Sequence, residues 1–198
     1  MSNPKFKNRP NDHIVYRFTS PGSGIKIKQD YWISRAAAVS GYIWAYSEAV
    51  ENPELHILTI KRSKSMMDDP GKIGVPCGYL DWNENGFDAM VREVYEETSL
   101  YLYDIEKYAD IMVKQPFYVE TDPNSNKRQN VCLFYVGVFN FRENPLPDIT
   151  SFTSEETQLV RWMRLSEFQK EKNRDDWSFN HNLRIQQSYD YLREKYII

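Results

Sequence analysis

Between residues 78 and 100 the chain reads GYLDWNENGFDAMVREVYEETSL, and the second half of that stretch carries the pattern of an amphipathic helix. Phe87, Met90, Val91 and Val94 recur at helical spacing and form an apolar stripe. Glu93, Glu96 and Glu97 stand at i, i+3 and i+4, so their carboxylates share a different face. Three like charges on one face repel, and the helix is less stable for it unless a cation sits among them. Hard oxygen ligands of this kind suit Mg2+ or Mn2+, and Mg2+ completes its shell with water and substrate phosphates. Asn85 is placed to cap the helix, which the spacing predicts over residues 87–98, and Asp88 adds favourable negative charge in the first turn.

The spacing around the helix is also distinctive. It runs Gly78, five residues, Glu84, seven residues, Arg92-Glu93-Val94, one residue, Glu96-Glu97, one residue, Ser99-Leu100. This resembles the signature of the Nudix hydrolases, with one departure: Ser99 stands where the family usually has glycine. That position closes the helix, where glycine is favoured because it tolerates left-handed backbone. Serine there costs ~1 kcal/mol of local strain and removes no carboxylate.

The resemblance spans roughly residues 35–195 and implies an α/β (α+β) fold, an α/β/α sandwich with a mixed β-sheet between helices. Residues 35–198 would form the Nudix hydrolase domain and residues 1–34 an N-terminal extension. It further implies a divalent cation, Mg2+ or Mn2+, held by Glu93, Glu96 and Glu97 with the backbone carbonyl of Cys77. Arg92 would orient a glutamate through a bidentate pair, and Glu84 would buttress the loop or add to the metal region. The general base is Glu93 or Glu97 in some members; in others it is a glutamate of a later loop, where this chain has Glu155 and Glu156. Lys61 and Arg62 at a strand end, and Lys127 and Arg128 in a hairpin loop, are candidates to meet phosphates. His181 stands where the family often has histidine and reads as a structural residue near a helix start.

The rest of the chain supplies the sheet. LHILTIKR (55–62) alternates as a strand does; the triple alanine of RAAAVSGYIWAYS (35–47) leaves a helical start open, but Gly41 and the β-branched and aromatic residues around it favour strand; and residues 73–80 lead into the motif as a short strand. Two long strand-like runs follow at 108–120 and 130–141, joined by the polar turn TDPNSNKRQ. Residues 160–164 read as a short strand, residues 165–170 as a helical turn capped by Ser166, and residues 180–196 as the closing helix. Residues 1–24 hold three prolines and two glycines and read as an irregular arm, with an extended piece at 13–18.

Composition narrows the function classes. A net charge of -3 excludes the basic field of a nucleic-acid duplex binder, although not a single nucleotide as ligand. Two cysteines are too few for a disulfide framework or zinc cluster. A polar N-terminus and the lack of a long apolar run lead to the expectation of a soluble cytoplasmic protein without membrane contact. Family members are often dimers, so a homodimer is among the partners implied.

As an enzyme, the chain would cleave a nucleoside diphosphate linked to another moiety into a nucleoside monophosphate and a phosphorylated product. Pro116 and Tyr118 lie at distances from the motif resembling those in ADP-ribose and dinucleoside polyphosphate hydrolases respectively, and Tyr118 is the candidate substrate contact. Phe117, Trp162 and Trp177 read as core or surface aromatics. The alternative is a nucleotide-metabolite sensor that uses the same fold without turnover.

Overall fold

The computed structural model describes residues 12–19, 26–33, 37–81, 84–122 and 130–196. The elements, in chain order, are β1 (Asp12–Thr19), β2 (Lys26–Ile33), β3 (Ala37–Tyr46), β4 (His56–Arg62), β5 (Ile73–Gly74), β6 (Cys77–Tyr79), α1 (Gly86–Thr98), a 3-10 helix (Leu102–Tyr108), β7 (Ala109–Met112), β8 (Tyr118–Glu120), β9 (Val131–Asn140), β10 (Thr157–Arg164), α2 (Leu165–Glu171) and α3 (His181–Tyr196). β1 and β2 pair antiparallel as a sheet of their own, so the stretch read as an irregular arm holds a full strand.

The main sheet has the order β10-β4-β3-β9-β7, with β5 on β4, β6 on β3 and β8 on β9. β3 and β9 run parallel over ten residue pairs, while the other pairings are antiparallel, which makes the sheet mixed. Alternation along the two central strands sorts their side chains to two faces. Val39, Ile43 and Ala45 of β3, with Tyr135 and Phe139 of β9, pack against Phe87, Met90, Val91 and Val94 of α1. Tyr42 and Trp44, with Cys132, Phe134, Val136 and Val138, pack on the opposite side with Phe168 of α2 and Ile185 and Leu192 of α3. Trp44 donates from its indole N–H to Ser188 Oγ at 3.0 Å, fixing α3 on that face. The fold is therefore the expected α/β/α sandwich. Gly41 lets α1 lie close to the sheet, since a Cβ there would come within 2.9 Å of Val94 and 3.1 Å of the Met90 sulfur.

Two local expectations are corrected. The run 108–120 is not one strand: β7 and β8 both pair with β9 but are separated by residues 113–117. Pro116 lies in that gap and has no N–H to give a ladder. Ser166 does not cap α2, because it lies inside the first turn. The Glu54 carboxylate does so from another loop, accepting from the Ser166 N–H and hydroxyl, both at 2.8 Å. The hairpin turn carrying Lys127 and Arg128 lies outside the described residues.

Candidate active site

α1 is positioned at both ends by its own sequence. Asn85 Oδ1 accepts from the N–H groups of Phe87 and Asp88 at 3.0 Å each, as an N-cap should. At the other end Ser99 is left-handed, with φ 61° and ψ 8°, and its N–H donates to the Tyr95 carbonyl. The serine thus adopts the backbone that glycine takes more cheaply at this position. Between these ends the apolar stripe is buried, and the acidic face turns toward β6 and its loop.

Arg92 is the hub of that face. Its Nε and one terminal nitrogen donate to the two oxygens of Glu84 at 3.1 and 2.8 Å, a bidentate pair. The same terminal nitrogen reaches the Tyr79 carbonyl at 2.8 Å, and Nη1 donates to Glu93 at 2.7 Å and to Glu96 at 2.9 Å. Glu84 in turn accepts from the Asp81 N–H at 2.6 Å, so it braces the loop before the helix. Gly78 makes the approach of helix to strand feasible: a Cβ there would stand 2.2–2.4 Å from the Glu93 carboxylate atoms.

Glu93 and Glu97 are 9% and 3% exposed. Burial raises the Glu93 carboxyl to about 7, with Arg92 pulling it down and Glu96 and Glu156 pushing it up. Burial likewise holds Glu97 well above the usual carboxylate range; Glu93 adds to this, and the Cys77 N–H, donating to Glu97 Oε2 at 2.9 Å, opposes it. The Cys77 thiol is also pushed well up, by burial and then by Glu97, so this residue supplies no thiolate. Two buried carboxylates held above the usual range, one of them already on the Arg92 guanidinium, are a setting that a hard divalent ion would relieve, and the oxygen donors are of the kind Mg2+ and Mn2+ take. The chemistry of the donor set fits such an ion. Among the described residues no three His, Cys, Asp or Glu side chains are gathered into a metal cluster, and the Arg92 guanidinium bridges Glu93 and Glu96.

A cavity of about 260 Å3 opens beside this face. Its lining includes Cys77, Gly78, Glu97 and Glu156 together with Arg62, Phe134, Phe179 and His181. Of the two basic residues ending β4, only Arg62 reaches it. Consecutive residues of a strand face opposite sides, and Lys61 borders a separate surface hollow with Leu159 and Arg161. Arg62 is 6% exposed; its Nε donates to the Asp68 carbonyl at 3.1 Å and its guanidinium lies 5.1 Å from the Phe179 ring centre. Glu156, rather than Glu155, lines the cavity, while the Glu155 carbonyl accepts from Ser65.

Tyr118 is elsewhere. Its ring stacks on Phe134 at 5.8 Å and is covered by the Arg184 guanidinium at 4.5 Å, and Arg184 is held by Glu120. Phe117 packs edge-on to Tyr42, while the indole N–H groups of Trp162 and Trp177 donate to the Pro147 and Glu171 carbonyls, as structural aromatics do. His181 opens α3 and is 4% exposed; its Nδ1 accepts from the Val75 N–H at 3.1 Å. Phe179 and Asn130 also line the cavity; nothing in the sequence marks Phe179, and the hint for Asn130 was a polar residue opening the apolar run of β9.

A carboxylate-rich helix braced by one arginine, set beside a cavity in an α/β/α sandwich, defines the class to which this chain's sequence motif pointed. The family model for the NUDIX domain matches residues 42–183, and the chain belongs to that family. Its fold is similar to that of a mutT/nudix family protein from Listeria innocua, with a TM-score of 0.60 and 21% identity over 82% of this chain and 96% of the other. A bifunctional NMN adenylyltransferase/ADP ribose pyrophosphatase from Francisella tularensis matches at TM-score 0.57 and 20% identity, over 81% of this chain and 41% of that one. The NUDIX domain of NrtR from Shewanella oneidensis, solved with ADP ribose, matches at 0.51 and 18% identity, over 80% and 89%. No curated protein matches the chain significantly. Among the described residues no helix is long and apolar enough to cross a membrane.

Proposed function

We propose that this chain, a Nudix hydrolase acting on phosphoanhydride bonds, is a divalent-cation-dependent pyrophosphohydrolase. It cleaves a nucleoside diphosphate linked to another moiety, an ADP-ribose or nucleotide-sugar-like compound or a dinucleoside polyphosphate, into a nucleoside monophosphate and a phosphorylated product. The observation that carries this is the buried Glu93–Glu97 carboxylate pair, set on α1 beside a cavity whose wall also presents the buried Arg62 guanidinium. Residues 35–198 constitute the catalytic domain and residues 1–34 an extension to it.

Glu93, Glu96 and Glu97, with the Cys77 carbonyl, are the groups that would hold Mg2+ or Mn2+, and the ion when bound would neutralise charge on the phosphate oxygens. Arg62 binds a substrate phosphate oxygen from the cavity wall; as a buried cation it does so in a poorly screened setting. Glu156 at the cavity rim accepts the proton of the attacking water. Arg92 orients Glu93 and, through Glu84, the loop that carries Gly78. Tyr118, packed under Arg184, supports the Phe134 wall rather than meeting substrate itself, and Lys61 lies outside the phosphate path. The substrate is a small nucleotide and the enzyme works in the cytoplasm as a monomer or homodimer.

Metal-dependent phosphate release, coupled to alkaline phosphatase, tests this reading on ADP-ribose, NADH, diadenosine polyphosphates, nucleotide sugars and nucleoside triphosphates. One dinucleotide class should stand well above the rest. Absent turnover throughout, with ADP-ribose still bound, would assign the fold to a sensor. That second reading has one observation in its favour, the Arg92 bridge that keeps Glu93 and Glu96 on a guanidinium. Retention of all three glutamates weighs against it.

A further inference from the structure

The start of α1 borders a second hollow, remote from the first. Glu93 and Glu97 lie about 10 and 16 Å further along the helix axis. The hollow measures about 460 Å3, within the range of small-molecule sites. It lies where the first turn of α1 meets Lys114, in the break between β7 and β8, and Tyr135 of β9. Direct contacts tie these parts together. Lys114 Nζ stands 5.8 Å from the Phe87 ring centre, Phe87 packs edge-on to Tyr135 at 6.0 Å, and the Tyr103 hydroxyl donates to Asp88 at 3.4 Å.

Tyr135 is the unusual member. It is only 3% exposed, yet its hydroxyl has no hydrogen-bond partner among the described residues. That hydroxyl ends against Gly86, where a Cβ would meet it at 2.3 Å. A tyrosine buried to this degree ordinarily has its polar end satisfied. Burial raises the phenol, so it keeps its proton at neutral pH and can donate. Gly86 adds a second donor. Asn85 takes the N–H groups of Phe87 and Asp88 with its side chain and that of Ala89 with its carbonyl, and among the described residues no acceptor takes the Gly86 N–H. Lys114 adds a third, with no carboxylate paired to it among the described residues. A helix start favours negative charge. Asp88 borders the same hollow, so the field suits one negative charge and opposes two.

We propose that this hollow is a second ligand site, taking a small organic anion of single charge. Its acidic group lies on the Tyr135 hydroxyl, the Gly86 N–H and Lys114, and its apolar body lies against Phe87 and Tyr103. The inference goes beyond the proposed function and does not depend on turnover. A single structural water on Tyr135 is the competing occupant, and it would give no uptake of an organic anion.

Benzoate is the probe, with benzamide as its uncharged counterpart and inorganic phosphate as the oxyanion of higher charge. Each is titrated into the full chain at neutral pH and followed by ligand-observed NMR. Benzoate should bind at least about fivefold tighter than either. Tyr135→Phe removes only a hydroxyl without a protein partner, so the variant should fold as the unmodified chain does. It should weaken benzoate about tenfold, and Lys114→Gln should weaken it about two- to fivefold. No saturable binding of benzoate at millimolar concentration, benzoate no tighter than benzamide or phosphate, or an affinity unchanged in either variant would overturn the proposal. Displacement of benzoate by AMP would move the anion to the Arg62 cavity and overturn it as well.

Discussion

His181 makes the stability of the fold depend on pH. Its imidazole is buried, and burial pushes its pKa down to about 3; Arg62 and Arg184 lower it further and Asp69 opposes them. The hydrogen-bond pattern requires the same thing, because Nδ1 accepts from the Val75 N–H and cannot do so when protonated. The folded value lies below the unfolded value of about 6.5, so the unfolded chain binds the extra proton first as pH falls. The stability contributed by a neutral His181 is complete above pH 6.5 and is lost progressively as pH falls toward 3. Between pH 7 and pH 5 the loss is about 2 kcal/mol, a figure that any folded value below about 4 leaves unchanged. Glu93 works in the opposite sense. Its carboxyl is raised to about 7, so its contribution is fully present below about 4.5 and is lost as pH rises through 7. A scan of the unmodified protein alone would therefore mix the two. His181→Asn isolates the histidine, since Asn Oδ1 can accept from Val75 while carrying no titratable proton. Urea unfolding of both proteins at pH 7, 6 and 5 should show the variant losing about 2 kcal/mol less than the unmodified chain across that range. A pH-independent offset from the smaller side chain, about 1–3 kcal/mol, sits on top of it. Parallel stability curves would refute the reasoning and place a proton on the buried ring, or a donor other than Val75 against it.

Three further outcomes follow from the site. Gly78→Ala should expel the Glu93 carboxylate, which a Cβ would meet at 2.2 Å. It should cost about 1–3 kcal/mol in a denaturant melt and abolish metal-dependent phosphate release. Arg92→Lys loses the bidentate pair to Glu84 and leaves Glu93 or Glu96 unpartnered, so the unfolding free energy from a urea melt should fall by about 2 kcal/mol; an unchanged free energy would mean the network is only a surface pairing. Ser99→Gly relieves a left-handed serine and should stabilise by up to about 1 kcal/mol with turnover unchanged, as measured by thermal melting beside the activity assay.

Much of this was legible because local and global signals agree in α1. Asn85, the apolar stripe and the left-handed end at Ser99 each act within a few residues, and the structure places all three as the spacing predicts. The central strands were equally readable, since alternation alone sorts Tyr42 and Trp44 from Ile43 and Ala45. What escaped depends on contacts distant in sequence. The cap of α2 comes from Glu54, more than a hundred residues earlier. Tyr118 is covered by Arg184, and the Phe179 N–H is held by Asp69; neither partner is implied by composition near the residue. Lys61 is a different case. The alternation that identified β4 already implied that Lys61 and Arg62 face opposite ways, and only one of them could reach a shared cavity.

The proposed role of the buried α1 carboxylates as the working face of a cation-dependent hydrolase is tested most directly by Glu97→Gln. Glutamine keeps an oxygen for the Cys77 N–H and removes a like charge beside Glu93. On the best substrate of the phosphate-release panel, with Mg2+ or Mn2+ saturating, turnover should fall by about 100-fold or more while the urea midpoint stays level or rises. Full turnover in this variant would contradict the account and put the chemistry elsewhere in the molecule.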